Sequence, residues 1–149
     1  MNIADFTAAE VLMITRPSSG TGRELMKYSL MDLVLKQQLR VYSEWRKPHE
    51  RDRERCYTYV SRGKKFDSYH ANRYQDQWID HFKEDNEYQL YILAKYIYKR
   101  TKKGSYFKKK YVYKALREQS IFNSSFGFKH LNTFFLSRKG YELQQKFTK

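Results

Sequence analysis

The ten residues Arg46 to Arg55 (RKPHERDRER) constrain the fold more than any other stretch, because eight of the ten are charged and one is a proline. Upstream, Leu39, Val41, Ser43 and Trp45 alternate with Arg40, Tyr42 and Glu44; downstream, Cys56 to Ser61 is rich in aromatic and β-branched residues. A connector this polar cannot be buried, and Pro48 suits a turn better than a strand interior. The two runs are therefore expected as an antiparallel hairpin, Leu39–Trp45 and Cys56–Ser61, with an exposed charged tip.

Helices are expected before the hairpin. Thr7 followed three residues later by Glu10 has the form of a capping box, opening a short helix to about Thr15. The cluster RPSSGT, Arg16 to Thr21, breaks it, since Pro17 pushes its predecessor out of the helical region. Met26, Leu30, Leu33 and Val34 then form one stripe at helical spacing over Gly22 to Gln38, with Ser29 and Asp32 suggesting a second cap that divides the segment near Tyr28.

After a break at Ser61 to Asp67, Ser68 is expected to cap a helix to about Lys83 whose Tyr74, Trp78, Ile79 and Phe82 share a face. Tyr88 to Arg100 is apolar nearly all round, which places it in the middle of a core. A turn at Thr101 to Ser105 leads to a helix over Tyr106 to Gln119, with Val112, Ala115, Leu116 and Gln119 on one side and Lys110, Lys114 and Arg117 on the other. Thr133 to Leu136 reads as a strand and Arg138 to Phe147 as a closing helix.

Charge supplies the functional signal. The chain of 149 residues carries 30 Lys and Arg against 16 acids, a net +14. Residues 101–149 hold twelve of those bases and only Glu118 and Glu142 as acids, so +10 of the excess lies there. Between Lys95 and Arg117 ten bases and no acid are interleaved with six aromatic residues. Such a segment suits a polyanion: Lys102, Lys103, Lys108, Lys109, Lys110, Lys114 and Arg117 would meet phosphates, and Arg46, Lys47, Arg51 and Arg53 would add a contact from the hairpin tip. Tyrosine hydroxyls can bond phosphates and the rings can stack on unpaired bases. The same residues also fit a solvated lysine face over a tyrosine-rich core. Lysine outnumbers arginine in this stretch, which favours charge attraction over bidentate base reading.

Other chemistry finds no residue set. The lone Cys56 excludes an intramolecular disulfide and zinc sites built on cysteine pairs, and reads as a packed strand residue in a reducing compartment. His49, His70, His81 and His130 are scattered without metal-ligand spacing, and no phosphate-loop motif occurs. No cofactor and no metal is expected. Trp45 and Trp78 read as core or interface anchors. Neither a signal sequence nor a lipid-attachment motif is recognised, so cytoplasmic residence is expected.

Two resemblances add to this. The stretch TFFLSRKGYEL, Thr133 to Leu143, resembles the end of bacterial winged-helix domains, where the last wing strand runs through Leu-Ser/Thr-x-x-Gly-x-x-Leu into a closing helix; the matching positions are Leu136, Ser137, Gly140 and Leu143. In local terms Ser137 would cap the helix and Gly140 would allow close packing. TAAEVLMI from Thr7 and SLMDLVLKQQLRV from Ser29 are similar in order to the start of the Golgi phosphoprotein type fold, whose eukaryotic members bind phosphoinositides. The expected fold is thus α+β, mostly α, winged-helix-like, with residues 1–67 and 68–149 as two tandem halves packed as one unit. The expected function is non-enzymatic nucleic-acid binding, DNA first, in a transcription-regulatory setting, with a homodimer as a further candidate. The alternative is an interaction module for acidic protein or an anionic membrane of the phosphoinositide type.

Overall fold

Capping chemistry sets the first two helices of the computed structural model, which describes residues 5–70, 74–84, 87–101, 104–123 and 134–149. Helix α1 spans Ala8–Thr15 behind the expected box, in which the Glu10 carboxylate accepts from the Thr7 N–H at 2.8 Å and Thr7 Oγ1 accepts from the Glu10 N–H at 3.3 Å. Helix α2, Gly22–Leu35, opens with a second box of the same kind. Thr21 N–H and Thr21 Oγ1 each donate to the Glu24 carboxylate at 2.8 Å, and these bonds hold its carboxyl below the usual range. The expected division of this segment near Tyr28 does not occur. Ser29 is fully buried inside one continuous helix, and the cap that starts it is Thr21, not Ser29.

The chain is α+β and mostly helical, and the described residues form one small sheet of order β1-β2-β3. Strands β1, Leu39–Arg46, and β2, Arg55–Arg62, pair antiparallel from Leu39↔Arg62 to Arg46↔Arg55, which is the expected hairpin extended by a residue or two. Strand β3, Tyr88–Gln89, adds two residues to the far side of β2. Helix α3, Asp76–Ile79, runs into a 3₁₀ turn, Asp80–Phe82; α4 is Leu90–Arg100. A single helical run follows, as α5 (Gly104–Phe107), a π-helical segment (Lys108–Tyr113) and α6 (Lys114–Glu118), and α7 is Arg138–Phe147.

Two contact units result. A terminal unit holds Met1–Asp32 with Thr101–Lys149, and a central unit holds Leu33–Arg100. The terminal unit joins sequence-distant helices because α7 finishes α1: the Gln144 amide donates to the Ile14 and Thr15 carbonyls at 3.1 and 3.2 Å, satisfying acceptors that a helix end leaves open. Phe6 meets Phe147 edge-on at 5.6 Å. Leu12, Met13, Ile14, Phe107, Val112, Leu116, Ile121 and Leu143 are buried in this unit. Ser137 caps α7 by accepting from the Gly140 N–H at 3.1 Å, as its sequence position suggests. The expected Thr133–Leu136 strand is reduced to one bridge, Phe122↔Leu136; Thr133 lies outside the described residues.

In the central unit Tyr74, Trp78, Ile79 and Phe82 are buried together as expected, but on a shorter element. Among the described residues Ser68 caps no helix: it ends a 3₁₀ turn, Phe66–Ser68, with its hydroxyl donating back to the Lys65 carbonyl at 2.7 Å, and residues 71–73 of the expected helix lie outside the described residues. Helix α4 is not a mid-core helix. It buries Leu93 and Ile97 and exposes Tyr91, Ile92 and Tyr96, so its apolar circumference is half surface. The outer part of the hairpin is exposed: Trp45, read as a core or interface anchor, is 67 % exposed and so is not a core residue of this chain, and Cys56, expected to be packed, is exposed.

His81 sits edge-on to Tyr88 and Tyr96, with ring centroids 5.9 and 5.2 Å away, and its Nε2 has no hydrogen-bond partner. Desolvation, followed by the Arg100 charge, lowers its pKa below the ordinary 6.5, against a smaller opposing effect of Asp80. The native state therefore favours neutral imidazole, and the unfolded chain takes the proton first. This stabilisation is complete above the ordinary histidine value and is lost as pH falls through it toward the lower native one. Wild type should lose more stability than His81→Phe between pH 7 and pH 5 in melts followed by tryptophan fluorescence, since Trp45 and Trp78 both lie in the central unit. Equal losses in the two proteins would refute this.

Candidate nucleic-acid interface

The helical run from Gly104 to Glu118 carries the basic segment, and its buried stripe decides which cations reach solvent. Phe107, Lys108, Val112 and Leu116 are buried; Lys109, Lys110, Lys114 and Arg117 are exposed. Among the described residues no ion pair engages these four. Lys110 donates to the Tyr106 hydroxyl and stands 4.9 Å from that ring's centroid, and the hydrogen bond raises its pKa, so the ammonium stays charged. The face opposite Val112 and Leu116 is thus a row of cations with Tyr106, Tyr111 and Tyr113 half-buried beside it.

Lys108 departs from expectation. It is 93 % shielded, its Nζ donates to the Gly20 carbonyl at 2.7 Å and reaches that of Ser18 at 3.5 Å, and it stands 4.7 Å from the Phe134 ring centroid. Burial lowers its pKa, with Glu24 opposing. Its ammonium is spent on holding the Ser18–Gly20 loop. The warning was in the sequence: Lys108 stands four residues before Val112 and eight before Leu116, on the core stripe. A cavity of about 260 Å³ lies beside it, lined by Ser18, Ser19, Thr21, Lys109 and Phe134 among others.

Lys102 and Lys103 lie outside the described residues. Of the hairpin cations, Arg46 is consumed within the central unit: its guanidinium donates to Glu44 at 2.7 Å, pairs with Glu87 and covers the Tyr59 ring at 4.2 Å. Lys47, Arg51 and Arg53 are exposed at the tip, where Glu50, Asp52 and Glu54 dilute their charge. The helix cations belong to the terminal unit and the tip cations to the central unit. Elsewhere in the terminal unit, Lys139 donates to the Gln119 carbonyl at 3.0 Å and Arg138 pairs with Glu142 at 3.4 Å.

Among the described residues no helix is long and apolar enough to cross a membrane. No protein-family model, curated protein or solved structure matches the chain.

Proposed function

We propose that this chain is a non-enzymatic, winged-helix-like protein that binds nucleic acid, DNA first, through the exposed cations of the Gly104–Glu118 run. The observation that carries the reading is the row Lys109, Lys110, Lys114 and Arg117, exposed and without carboxylate partners among the described residues, opposite a buried stripe of Phe107, Val112 and Leu116. A rigid helix presenting cations at turn spacing suits a phosphate backbone, and few bidentate arginines suit binding with little base discrimination. The Ser137-capped closing helix and the projecting β1–β2 hairpin with its charged tip support the winged-helix comparison. Lys47, Arg51 and Arg53 would give weaker phosphate contacts, since acids stand between them.

The test is the salt dependence of duplex binding. Affinity should fall steeply between 50 and 200 mM salt, and changing Lys110, Lys114 and Arg117 together to Ala should flatten the log–log slope by about 2.7, at about 0.9 per lost phosphate contact. An unchanged slope would remove this face as the binding site. Binding to phosphatidylserine vesicles with no measurable affinity for duplex DNA would replace nucleic acid by a membrane surface.

A further inference from the structure

Strand β3 uses only part of the β2 edge that it faces. Strand β3 pairs with Tyr59 and Val60, and the chain then leaves the sheet into α4 at Leu90. Among the described residues Arg55 to Thr58 pair with β1 alone, which leaves about 13 Å of open strand edge at roughly 3.3 Å per residue. That edge borders a groove of about 530 Å³ with Cys56, Tyr57 and Thr58 on one side and Leu90, Tyr91 and Ala94 on the other. Successive strand residues project to opposite faces, so a groove touching three in a row runs along the edge of the sheet and not over one face. Two exposed cations adjoin the lining residues in sequence and have no ion pair among the described residues: Arg55, between Glu54 and Cys56, and Lys95, next to Ala94, whose ammonium lies 5.8 Å from the Tyr91 ring centroid. Glu87, the acid next to β3, is already bound by Arg46.

We propose that this groove takes an extended peptide segment of a partner protein, apolar in its middle and acidic at its ends, which adds to the sheet as a strand beside Arg55 to Thr58. Open backbone donors and acceptors at strand spacing are matched best by another backbone. Leu90, Tyr91 and Ala94 form the pocket for one side chain of that strand, and Arg55 and Lys95 receive its carboxylates. The surface lies in the central unit and is independent of the nucleic-acid reading, which rests on the terminal unit.

Cys56, the sole cysteine, is exposed and lines the groove, so it reports occupancy. The probe is a fluorescein-labelled peptide, EEVTVTVEE, followed by anisotropy and by the rate at which Cys56 of the full chain reacts with N-ethylmaleimide. Saturable binding that slows the maleimide reaction at least tenfold is expected. Ala94→Trp, which fills the groove, should weaken binding at least tenfold, and the alanine triple variant at Lys110, Lys114 and Arg117 should bind the peptide as wild type does. EEVTPTVEE, whose central proline cannot pair with a strand, should bind at least tenfold more weakly to the unaltered protein, a comparison that does not depend on any variant folding. Equal affinity for the proline peptide, or binding that leaves Cys56 fully reactive, would overturn the proposal. Protection of Cys56 that grows with protein concentration alone would also overturn it, by making a second copy the occupant.

Discussion

Gly140→Ala should destabilise the terminal unit by about 2 kcal/mol, although alanine is the better helix former by about 1 kcal/mol. Gly140 stands in the first turn of α7, where a methyl group would collide with the Ile121 carbonyl oxygen and meet Leu136 Cδ2 at 2.9 Å and Cβ at 3.1 Å. The leucine can adjust, but the carbonyl cannot readily withdraw, because it accepts from the Ser137 N–H at 2.9 Å. Ser137 in turn donates from its hydroxyl to the Ser120 carbonyl at 2.7 Å while capping Gly140. Relieving the clash means lifting the start of α7 off the Ser120–Ile121 corner and loosening these bonds together. Overpacking typically costs about 1 to 3 kcal/mol; against a backbone carbonyl that cannot withdraw the upper end applies, and the propensity gain of about 1 kcal/mol reduces it to a net loss of about 2 kcal/mol. Urea denaturation followed by far-ultraviolet circular dichroism reads the effect, since both tryptophans lie in the other unit. A midpoint at or above that of wild type would show that α7 does not seat on this corner.

The same corner illustrates what sequence could and could not convey. The cap at Ser137 and the close approach at Gly140 were legible because each depends on residues within one turn. The hairpin was legible for a similar reason, since alternation and a charged connector are local signals. What ended the helices was not. Gln37 and Ser120 adopt positive φ, 60° and 61°, and turn the chain at the ends of α2 and α6 without the glycine that usually marks such a cap. At each, two bonds reach back in the Schellman pattern, Gln38 to Leu33 with Gln37 to Val34, and Ile121 to Leu116 with Ser120 to Arg117. Glycine appears instead at Gly63, where a Cβ would overlap the Gln37 backbone. Burial within the hairpin is not legible in the same way, because alternation locates two faces without saying that either is covered, which is why Cys56 reads as packed and is exposed. The joining of α1 to α7 depends on contacts 130 residues apart, which no local pattern records. In the candidate interface, charge counting located the segment, and only the core stripe could divide its lysines into outward cations and one inward strut.

That division gives the other large effect. Lys108→Ala should destabilise the terminal unit by about 2 to 4 kcal/mol, whereas Lys109→Ala, one residue on and exposed, should change stability by less than about 0.5 kcal/mol. Three losses combine at Lys108: the charge-assisted bond to the Gly20 carbonyl, the attraction to the Phe134 ring and the packing of a buried aliphatic stem. The cost of keeping an ammonium out of water opposes them, and is visible in its lowered pKa. Deleting the cation removes that cost but strands the carbonyl it served, so the net effect stays unfavourable. Lys108→Met separates the contributions, since it keeps much of the stem and loses the donor; it should cost about 1 to 3 kcal/mol. The order reverses when duplex binding is measured, with the exposed Lys114 compared against the buried Lys108. At a temperature where all variants are folded, Lys114→Ala should flatten the salt slope by about 0.9, while Lys108→Met should leave it unaltered, because a buried ammonium releases no counterion. A flattened slope in Lys108→Met with undiminished stability would mean that this side chain faces the ligand and not the Ser18–Gly20 loop.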